Sequence, residues 1–246
     1  MNMTTCIIGI DCATDPKRVG LARGRVTADG LVVDRLGKVA KGEPVADRVV
    51  DWIADEPRVL LAMDAPLGWP AALGDALAVH NAGDFLPAEP NLLFRRETDR
   101  FTHRQIGKLP LDVGADRIAR TAHAALTLLH EISERRQCAV PLAWAPEFPG
   151  PLAAIEVYPA AVLKTSGMVF QGYKGASQTA QRVGIAALLR RRMTFATDTV
   201  ILLSDDDVLD AAVCVLAGYH FLQGLCIPPT DSDLARREGW IWFRGG

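Results

Sequence analysis

The chain has 246 residues, of which 49% are hydrophobic and 23% are charged, and its formal net charge at pH 7 is −2. These values are typical of a globular protein and exclude an intrinsically disordered chain. The small net charge also excludes a general electrostatic attraction to nucleic acid, so any such binding must come from a local patch of charge.

The cysteines and the N-terminal sequence indicate the cellular setting. The five cysteines form no CxxC pair and lie mostly in apolar runs. We therefore expect buried thiols in a reducing compartment rather than disulfides or a zinc site. The N-terminus lacks the pattern of a signal peptide, and no apolar run approaches the roughly 18 residues of a membrane helix. We predict a cytoplasmic protein without a membrane partner.

In the first half of the chain, short apolar runs alternate with turn signals, which predicts β-strands. Strands are expected at residues 6–11, 19–27 and 31–39, followed by a helix at 44–54 and a strand at 58–63. Asp29-Gly30 marks a hairpin turn between the second and third strands, because this pair tolerates the positive φ that such turns need. The strand at 58–63 is a continuous apolar run, typical of a strand buried on both faces of a mixed or parallel sheet.

The second half predicts a loop-rich segment followed mainly by helices. Residues 73–113 have a loop-like pattern, and the clearest amphipathic helix spans Asp116–Arg136. A strand is expected at 153–157, helices at 178–192 and 205–222 with Ser204 as N-cap of the latter, and an edge strand at 239–243. We expect one domain over residues 1–246 with an insertion at about 71–150.

Several acidic residues lie in apolar segments, where a charge is unfavourable in a folded core. Asp11, Asp64 and Glu156 each lie at the end of an apolar strand, and Asp210 lies among apolar residues of the last long helix. The carboxyl ends of parallel strands meet at one edge of a sheet, and Asp207 shares a helix face with Asp210. Burying an ionised carboxylate costs several kcal/mol unless a cation offsets it, so we expect these acids to surround metal ions. Oxygen ligands favour Mg²⁺ or Mn²⁺, and a group of this size suits two ions about 4 Å apart.

Each acid also has an ordinary interpretation. Asp207 could belong, with Asp205 and Asp206, to the first turn of a helix, where acids are favoured by the helix dipole. An aspartate at the end of a strand could open a turn by bonding its own backbone. Glu156 could form a salt bridge with an arginine. The metal-site interpretation therefore depends on the combination of acids rather than on any one of them.

A basic segment and one loop lysine are candidate phosphate ligands. The five basic residues of segment 94–108 exceed its acids by three, and aromatic residues lie between them. We predict Arg96 and Arg100 as substrate ligands in a clamp for a nucleic acid or nucleotide. The alternative is an ordinary helix or loop whose arginines pair with nearby acids. Lys174, in a glycine-flanked loop, is either a further phosphate contact or an exposed lysine.

The order of the elements resembles a known fold. A strand ending in Asp, two hairpin strands, a helix, a second strand ending in Asp and a late Asp-x-x-Asp-Ala helix resemble the ribonuclease H-like fold, in its Holliday-junction resolvase branch. The chain is more closely similar to the DUF429 family of predicted nucleases. The matching segments are Ile8-Gly9-Ile10-Asp11, Met63-Asp64-Ala65-Pro66-Leu67-Gly68, Arg96-Glu97-Thr98-Asp99-Arg100, Lys108-Leu109-Pro110-Leu111, Asp116-Arg117-Ile118, Glu156-Val157-Tyr158-Pro159 and Asp207-Val208-Leu209-Asp210-Ala211.

This resemblance implies a mixed five-stranded sheet flanked by helices and a metal-dependent nuclease that cleaves phosphodiester bonds. By position, Asp11 would bridge two metal ions, Asp64 and Asp210 would each bind one, and Asp207 would be an additional ligand or a proton acceptor. Glu156 is implied only by the narrower family. Resolvases have a glutamate after the fourth strand, where this chain has the shorter Asp64.

Two other functions remain open from the sequence. The first is a non-catalytic binding or scaffold role on a degenerate ribonuclease H-like fold, against which the intact acids argue. The second is ATP handling of the kind found in the actin and sugar-kinase superfamily, which shares the strand order. That superfamily needs two such domains and glycine-rich phosphate hairpins, and residues 11–15 lack a glycine pair. Neither the choice between DNA and RNA nor the oligomeric state is indicated by the sequence.

Overall fold

A six-stranded sheet forms the centre of the protein. The computed structural model describes residues 4–86, 88–114 and 116–245. The strands are β1 (Cys6–Asp11), β2 (Gly20–Thr27), β3 (Gly30–Gly37), β4 (Val59–Asp64), β5 (Leu152–Glu156) and β6 (Thr194–Phe195). Their spatial order is β5-β4-β1-β2-β3-β6. Strands β1, β4 and β5 are parallel, β2 is antiparallel to β1 and β3, and β6 is parallel to β3.

This topology confirms the mixed α/β sheet flanked by helices, with five strands in the ribonuclease H-like order. The expectation of five strands was nevertheless one too few. Strand β6 has only two residues, which pair with Val32 and Val33 of β3. Two residues are too short for the alternating pattern by which a strand is recognised in a sequence.

Helices cover both faces of the sheet. They are α1 (Val45–Trp52), α2 (Ala71–Leu77), α3 (Pro90–Phe94), α4 (Glu97–Ile106), α5 (Asp116–Arg136), α6 (Pro159–Thr165), α7 (Thr179–Leu189), α8 (Ile201–Ser204), α9 (Asp206–Leu222) and α10 (Ser232–Glu238). On one face Ile8 and Ile10 of β1 pack with residues of α1 and α5, and on the other Ile7 packs with α9. Among these described helices, none is long and apolar enough to cross a membrane.

The long helices and strands lie where the sequence predicts them, whereas the short helices between β4 and β5 were not predicted. The expected helix Asp116–Arg136 is α5 without change, and the other expected ends differ by no more than three residues. The loop expected at 73–113 is wrong, since α3, α4 and most of α2 lie there. Helix α4 shows no apolar pattern in the sequence, because the polar residues Thr98, Asp99 and Thr102 occupy its buried face.

Two further expectations need correction at the helix α9 N-terminus and at the chain end. The N-cap of α9 is Asp205 rather than Ser204, and its carboxylate accepts hydrogen bonds from the backbone N–H groups of Asp207 and Val208, both at 3.1 Å. Residues 239–243 contain one isolated bridge, which joins Ile241 to Glu156, instead of an edge strand.

Two glycines let α9 lie directly against the sheet. A Cβ atom added at Gly9 of β1 would lie 2.0 Å from the carbonyl oxygen of Ala211, and one added at Gly20 of β2 would lie 2.1 Å from that of Asp207. No side chain fits in either gap. This close approach brings the first turns of α9 beside the carboxyl end of β1, where the acidic residues lie.

Candidate metal centre

Three aspartates from three elements converge at one edge of the sheet. Asp11 and Asp64 are the last residues of β1 and β4 and are paired in register. Asp210 faces them from α9, which the glycine contacts hold against β1. One carboxylate oxygen from each of Asp11, Asp64 and Asp210 lies within 4.8 Å of the other two. These three residues are called the acid cluster below.

The acid cluster is hard to ionise without a cation. Burial raises the pKa of Asp11 well above its usual range, and the charges of Asp64 and Asp210 raise it further. Burial also raises the pKa of Asp64 to about 7, although the positive charge of Lys174 opposes this. The pKa of Asp210 is raised by burial in the same way and lowered in part by Lys174. Desolvation and like charges both disfavour three carboxylates at one point, and a bound cation would relieve both.

Asp210 is held by two neighbouring side chains from the loop that precedes α7. The Tyr173 hydroxyl donates a hydrogen bond to Asp210 Oδ1 at 2.8 Å. Asp210 Oδ2 is buried and forms an ion pair with the ammonium nitrogen of Lys174 at 2.6 Å. Burial lowers the pKa of Lys174, but the carboxylates of the acid cluster outweigh this and raise it above its usual value. Lys174 therefore supplies a positive charge at the acid cluster, its side chain is 58% exposed, and its role as a phosphate contact stays a prediction.

The acid cluster lies in a cleft of about 700 Å³. Besides the three aspartates, its wall includes Lys108, Leu109, Pro110, Leu111, Ile118, Tyr158, Phe170 and Tyr173. The cleft therefore combines a charged floor with apolar and aromatic walls. Burial raises the pKa of Tyr158 to about 12, so its phenol stays neutral at physiological pH. The sequence interpretation did not identify Tyr158 or Tyr173, although one follows Glu156-Val157 and the other precedes Lys174.

Asp207 lies beside the acid cluster but is held by other cations. Its Oδ2 lies 2.7 Å from the Lys38 ammonium, and its Oδ1 accepts a hydrogen bond of 3.4 Å from Arg18. Asp205, Asp206 and Asp207 also form a group of the right size for a metal ion. Lys38 already bridges two of them, since it is also 2.8 Å from Asp205. A role for Asp207 as an additional metal ligand or proton acceptor stays a prediction.

Glu156 and Arg96 form a buried ion pair in the wall of the cleft, and the catalytic and phosphate-binding roles expected for them stay predictions. Two Arg96 nitrogens donate to the two carboxylate oxygens of Glu156 at 2.7 and 2.8 Å, and Asp99 accepts further hydrogen bonds from the same guanidinium. The Arg96 side chain is 1% exposed and its guanidinium is used by these acids, although Arg96 and Glu156 both belong to the wall of the cleft. Glu156 also accepts a hydrogen bond of 2.9 Å from the backbone N–H of Leu67. The structure therefore contains the salt bridge that was the alternative interpretation of Glu156.

Arg100 also departs from the expected phosphate clamp. Its guanidinium donates to Glu97 Oε2 at 3.1 Å and to the carbonyl oxygen of Arg95 at 2.7 Å. Arg100 does not belong to the described wall of the cleft. The four arginines of this segment (Arg95, Arg96, Arg100 and Arg104) thus pair with acids, whereas Lys108 belongs to the wall of the cleft. The ordinary interpretation of the segment, with arginines paired to nearby acids, holds for both Arg96 and Arg100.

Comparisons with known proteins identify the family of this chain but not a reaction. Residues 9–233 match the model of a family described as "Protein of unknown function (DUF429)". No curated protein sequence matches the chain. A solved structure of T. thermophilus RuvC in complex with a Holliday junction substrate is 13% identical, covers 92% of this chain and 99% of its own, and has a TM-score of 0.36. A TM-score this low is too small for the likeness to support an argument about function.

Proposed function

The chain belongs to the DUF429 family of proteins of unknown function, and we propose that it is a divalent-metal-dependent nuclease that hydrolyses phosphodiester bonds at the acid cluster. The observation that carries this proposal is the convergence of Asp11, Asp64 and Asp210 within 4.8 Å in a cleft. Carboxylates from three separate elements, two of them buried and that of Asp64 half-buried, have no structural need to meet at one point. Their mutual repulsion is a cost that a bound cation would offset.

The residues present fit a hard divalent cation. All three candidate ligands offer carboxylate oxygens, which suit Mg²⁺ or Mn²⁺ better than Zn²⁺. Asp210 Oδ2 is buried and lies 2.6 Å from the Lys174 ammonium, which occupies one of its two lone pairs and leaves the other for a metal ion. Asp11 and Asp64 stand on paired strands, which gives the ligands a rigid base. A cation bound here would polarise a phosphoryl oxygen and lower the pKa of a bound water molecule.

The chain's own residues divide the remaining tasks. Tyr173 orients Asp210 through its hydrogen bond, and Lys174 offers a positive charge to a phosphate that reaches the cluster. Three carboxylates and one ammonium leave two negative charges, which a single divalent ion balances. A second ion, as in two-metal phosphoryl transfer, would require the Lys174 ammonium to move away from Asp210.

Cleavage assays on a panel of DNA and RNA structures with Mn²⁺ test the proposal. Wild type should cleave at least one substrate, and Asp11→Asn and Asp210→Asn should each lose cleavage while remaining folded. Asp233→Asn is a matched control, because Asp233 is exposed in the first turn of α10. A wild-type protein that cleaves nothing, or an Asp210→Asn variant that cleaves as wild type does, would contradict the proposal. The first of these outcomes favours a non-catalytic binding role.

A further inference from the structure

A second, smaller cavity of about 270 Å³ adjoins the cleft. Its wall carries four basic side chains and two threonine hydroxyls, from Arg18, Arg117, Arg120, Lys174, Thr14 and Thr121. We call it the basic pocket. These residues come from three separate parts of the chain: the connection between β1 and β2, helix α5, and the loop before α7. The three parts meet only in the folded protein, so no local charge count reveals the pocket.

The basic pocket has a surplus of positive charge. Its two acids are Asp11, which belongs to the acid cluster, and Asp207, which is held by Lys38 and Arg18. Arg117 and Arg120 are three residues apart on α5, so both project from one helix face. Within the described part of the chain, Arg120 makes no hydrogen bond or ion pair. The Thr121 hydroxyl already donates to the carbonyl oxygen of Arg117 at 3.1 Å, so the Arg120 guanidinium and the Thr14 hydroxyl are the groups placed to donate hydrogen bonds to a phosphate group.

The two cavities share a boundary and differ in character. Asp11, Thr121 and Lys174 belong to the walls of both, so the acid cluster lies near their junction. On one side the cleft has aromatic and apolar walls that include Tyr158 and Phe170. On the other side the basic pocket is small and polar. A nucleic acid strand alternates flat bases with charged phosphates, and this pair of cavities offers a place for one of each.

The size of the cleft suits a single nucleotide. A volume of about 700 Å³ is within the range of sites for single small molecules, so the cleft has room for one nucleotide. Enzymes that act on a nucleotide in an enclosed site take single-stranded substrate or extrude the nucleotide from the helix. Aromatic side chains such as Tyr158 and Phe170 can stack on a base of any sequence.

We propose that the basic pocket binds the phosphate adjacent to the bond that is cleaved, and that the cleft holds an unpaired nucleotide. The substrate class is then a single strand or an unpaired end rather than a continuous duplex. This inference rests on the proposed nuclease function, because it takes the acid cluster as the point of cleavage. It assigns phosphate binding to Arg120 and its neighbours, in place of Arg96 and Arg100.

Binding of a fluorescein-labelled oligothymidylate of about 12 nucleotides, measured by anisotropy in Ca²⁺ buffer, tests this inference. Arg120→Gln should weaken binding by about three- to tenfold, and Arg120→Lys should retain most of it. The slope of log affinity against log salt should fall by about 0.7 in Arg120→Gln, the value for one lost contact to a single strand. Arg136→Gln removes the same charge at the far end of α5 and should bind as wild type does.

The duplex formed with the complementary strand is measured in parallel and should bind more weakly than the single strand. Equal binding of the duplex, or an Arg120→Gln variant indistinguishable from Arg136→Gln, overturns the inference. Mn²⁺ titration of the wild type is a separate readout. Absence of Mn²⁺ binding would contradict the proposed function, whereas the Arg120 comparison tests the basic pocket alone.

Discussion

The ammonium nitrogen of Lys174 lies 2.6 Å from Asp210 Oδ2, within the group of carboxylates that would hold a divalent ion. A positive charge at this distance competes with a metal ion for the same oxygen, because like charges in a buried site repel strongly. Lys174→Met should therefore bind Mn²⁺ about tenfold more tightly than wild type and take two ions per chain instead of one. Calorimetric titration gives both the affinity and the stoichiometry.

The control for this variant is Lys41→Met, which removes an exposed lysine from the loop before α1. It should bind Mn²⁺ as wild type does. Unchanged affinity and stoichiometry in Lys174→Met would mean that the ammonium does not compete for the metal position. Two ions in the wild type would instead support the two-metal arrangement that the resemblance implies.

Metal binding should also be visible as added stability. A ligand present at about 100 times its Kd stabilises the folded state by about 2.7 kcal/mol, which corresponds to a rise in Tm of about 5–10 °C for a chain of this size. We expect this shift with Mn²⁺ in the wild type and no shift in Asp210→Asn, which retains the shape of the side chain but loses its charge. Thermal melting followed by circular dichroism measures it. A shift of equal size in Asp210→Asn would place the ion away from the acid cluster.

The contact between β1 and α9 predicts that Gly9 cannot be replaced. A methyl group at Gly9 would lie 2.0 Å from the carbonyl oxygen of Ala211, so α9 would have to move away from the sheet. Gly9→Ala should lose about 1–3 kcal/mol of unfolding free energy or more, and should weaken Mn²⁺ binding because Asp210 moves with the helix. Urea denaturation and Mn²⁺ titration check the two effects.

Gly74→Ala is the matched control for this substitution. Gly74 lies in α2, and a methyl group there meets no atom within 4 Å. Because alanine is the better helix former, Gly74→Ala should stabilise the protein by about 0.5–1 kcal/mol and leave metal binding unchanged. Equal stability changes in the two variants would show that close packing at Gly9 is not required.

The acid cluster could be predicted from the sequence because each of its members breaks a local rule. Asp11 and Asp64 end apolar strands, and parallel strands bring their carboxyl ends to the same edge. Asp210 stands beyond the first turn of an apolar helix, where the helix dipole does not account for it. In each case the unusual position of the acid can be recognised from about ten residues of sequence. The sheet topology then brings the three acids together.

The role of the arginines could not be predicted in the same way. Arg96 pairs with Glu156, which is 60 residues away in the chain, so a count of local charge misses the partner. The basic pocket could not be predicted for a different reason. In the sequence, Arg120 resembles an ordinary charged residue on the outer face of a long helix. Only the packing of α5 beside the end of β1 turns that face toward the acid cluster.

The buried ion pair of Arg96 with Glu156 predicts that replacing Arg96 lowers the free energy of unfolding by a large amount. It also predicts that Arg96 makes no direct contact with a substrate phosphate. Arg96→Met leaves Asp99 and Glu156 as buried acids without their cation, which should cost about 3–5 kcal/mol of unfolding free energy. Arg100→Gln removes a partly exposed side chain and should cost less than about 1 kcal/mol. Urea denaturation compares the two.

Arg100→Gln also tests the original idea of a phosphate clamp. Because Arg100 lies outside the described walls of both cavities, this variant should bind the single-stranded oligonucleotide as wild type does. Weaker binding with a reduced salt dependence would restore Arg100 as a substrate ligand. A stable Arg96→Met protein would contradict the structural role of the buried pair.

A pH effect on stability should come from His220, which lies near the C-terminal end of α9, whereas Asp210 lies near its N-terminal end. The side chain is buried, its Nδ1 has no hydrogen-bond partner among the described residues, and burial lowers its pKa to about 4, with the nearby charges of Arg244 and Arg192 acting in the same direction. Below its usual pKa of about 6.5, His220 takes up a proton in the unfolded chain but stays neutral in the folded one. The unfolded state therefore binds more protons in this window, and stability falls as the pH falls from about 6.5 to about 4.

The loss from this one group should be on the order of 3 kcal/mol across the window, because each pKa unit of difference corresponds to about 1.4 kcal/mol. His220→Gln has no titrating side chain, so its unfolding free energy should fall less steeply than that of the wild type over the same range. Other groups titrate in both proteins, and the difference between the two curves isolates His220. Parallel curves for wild type and His220→Gln would mean that the imidazole gains a proton in the folded protein as readily as in the unfolded chain.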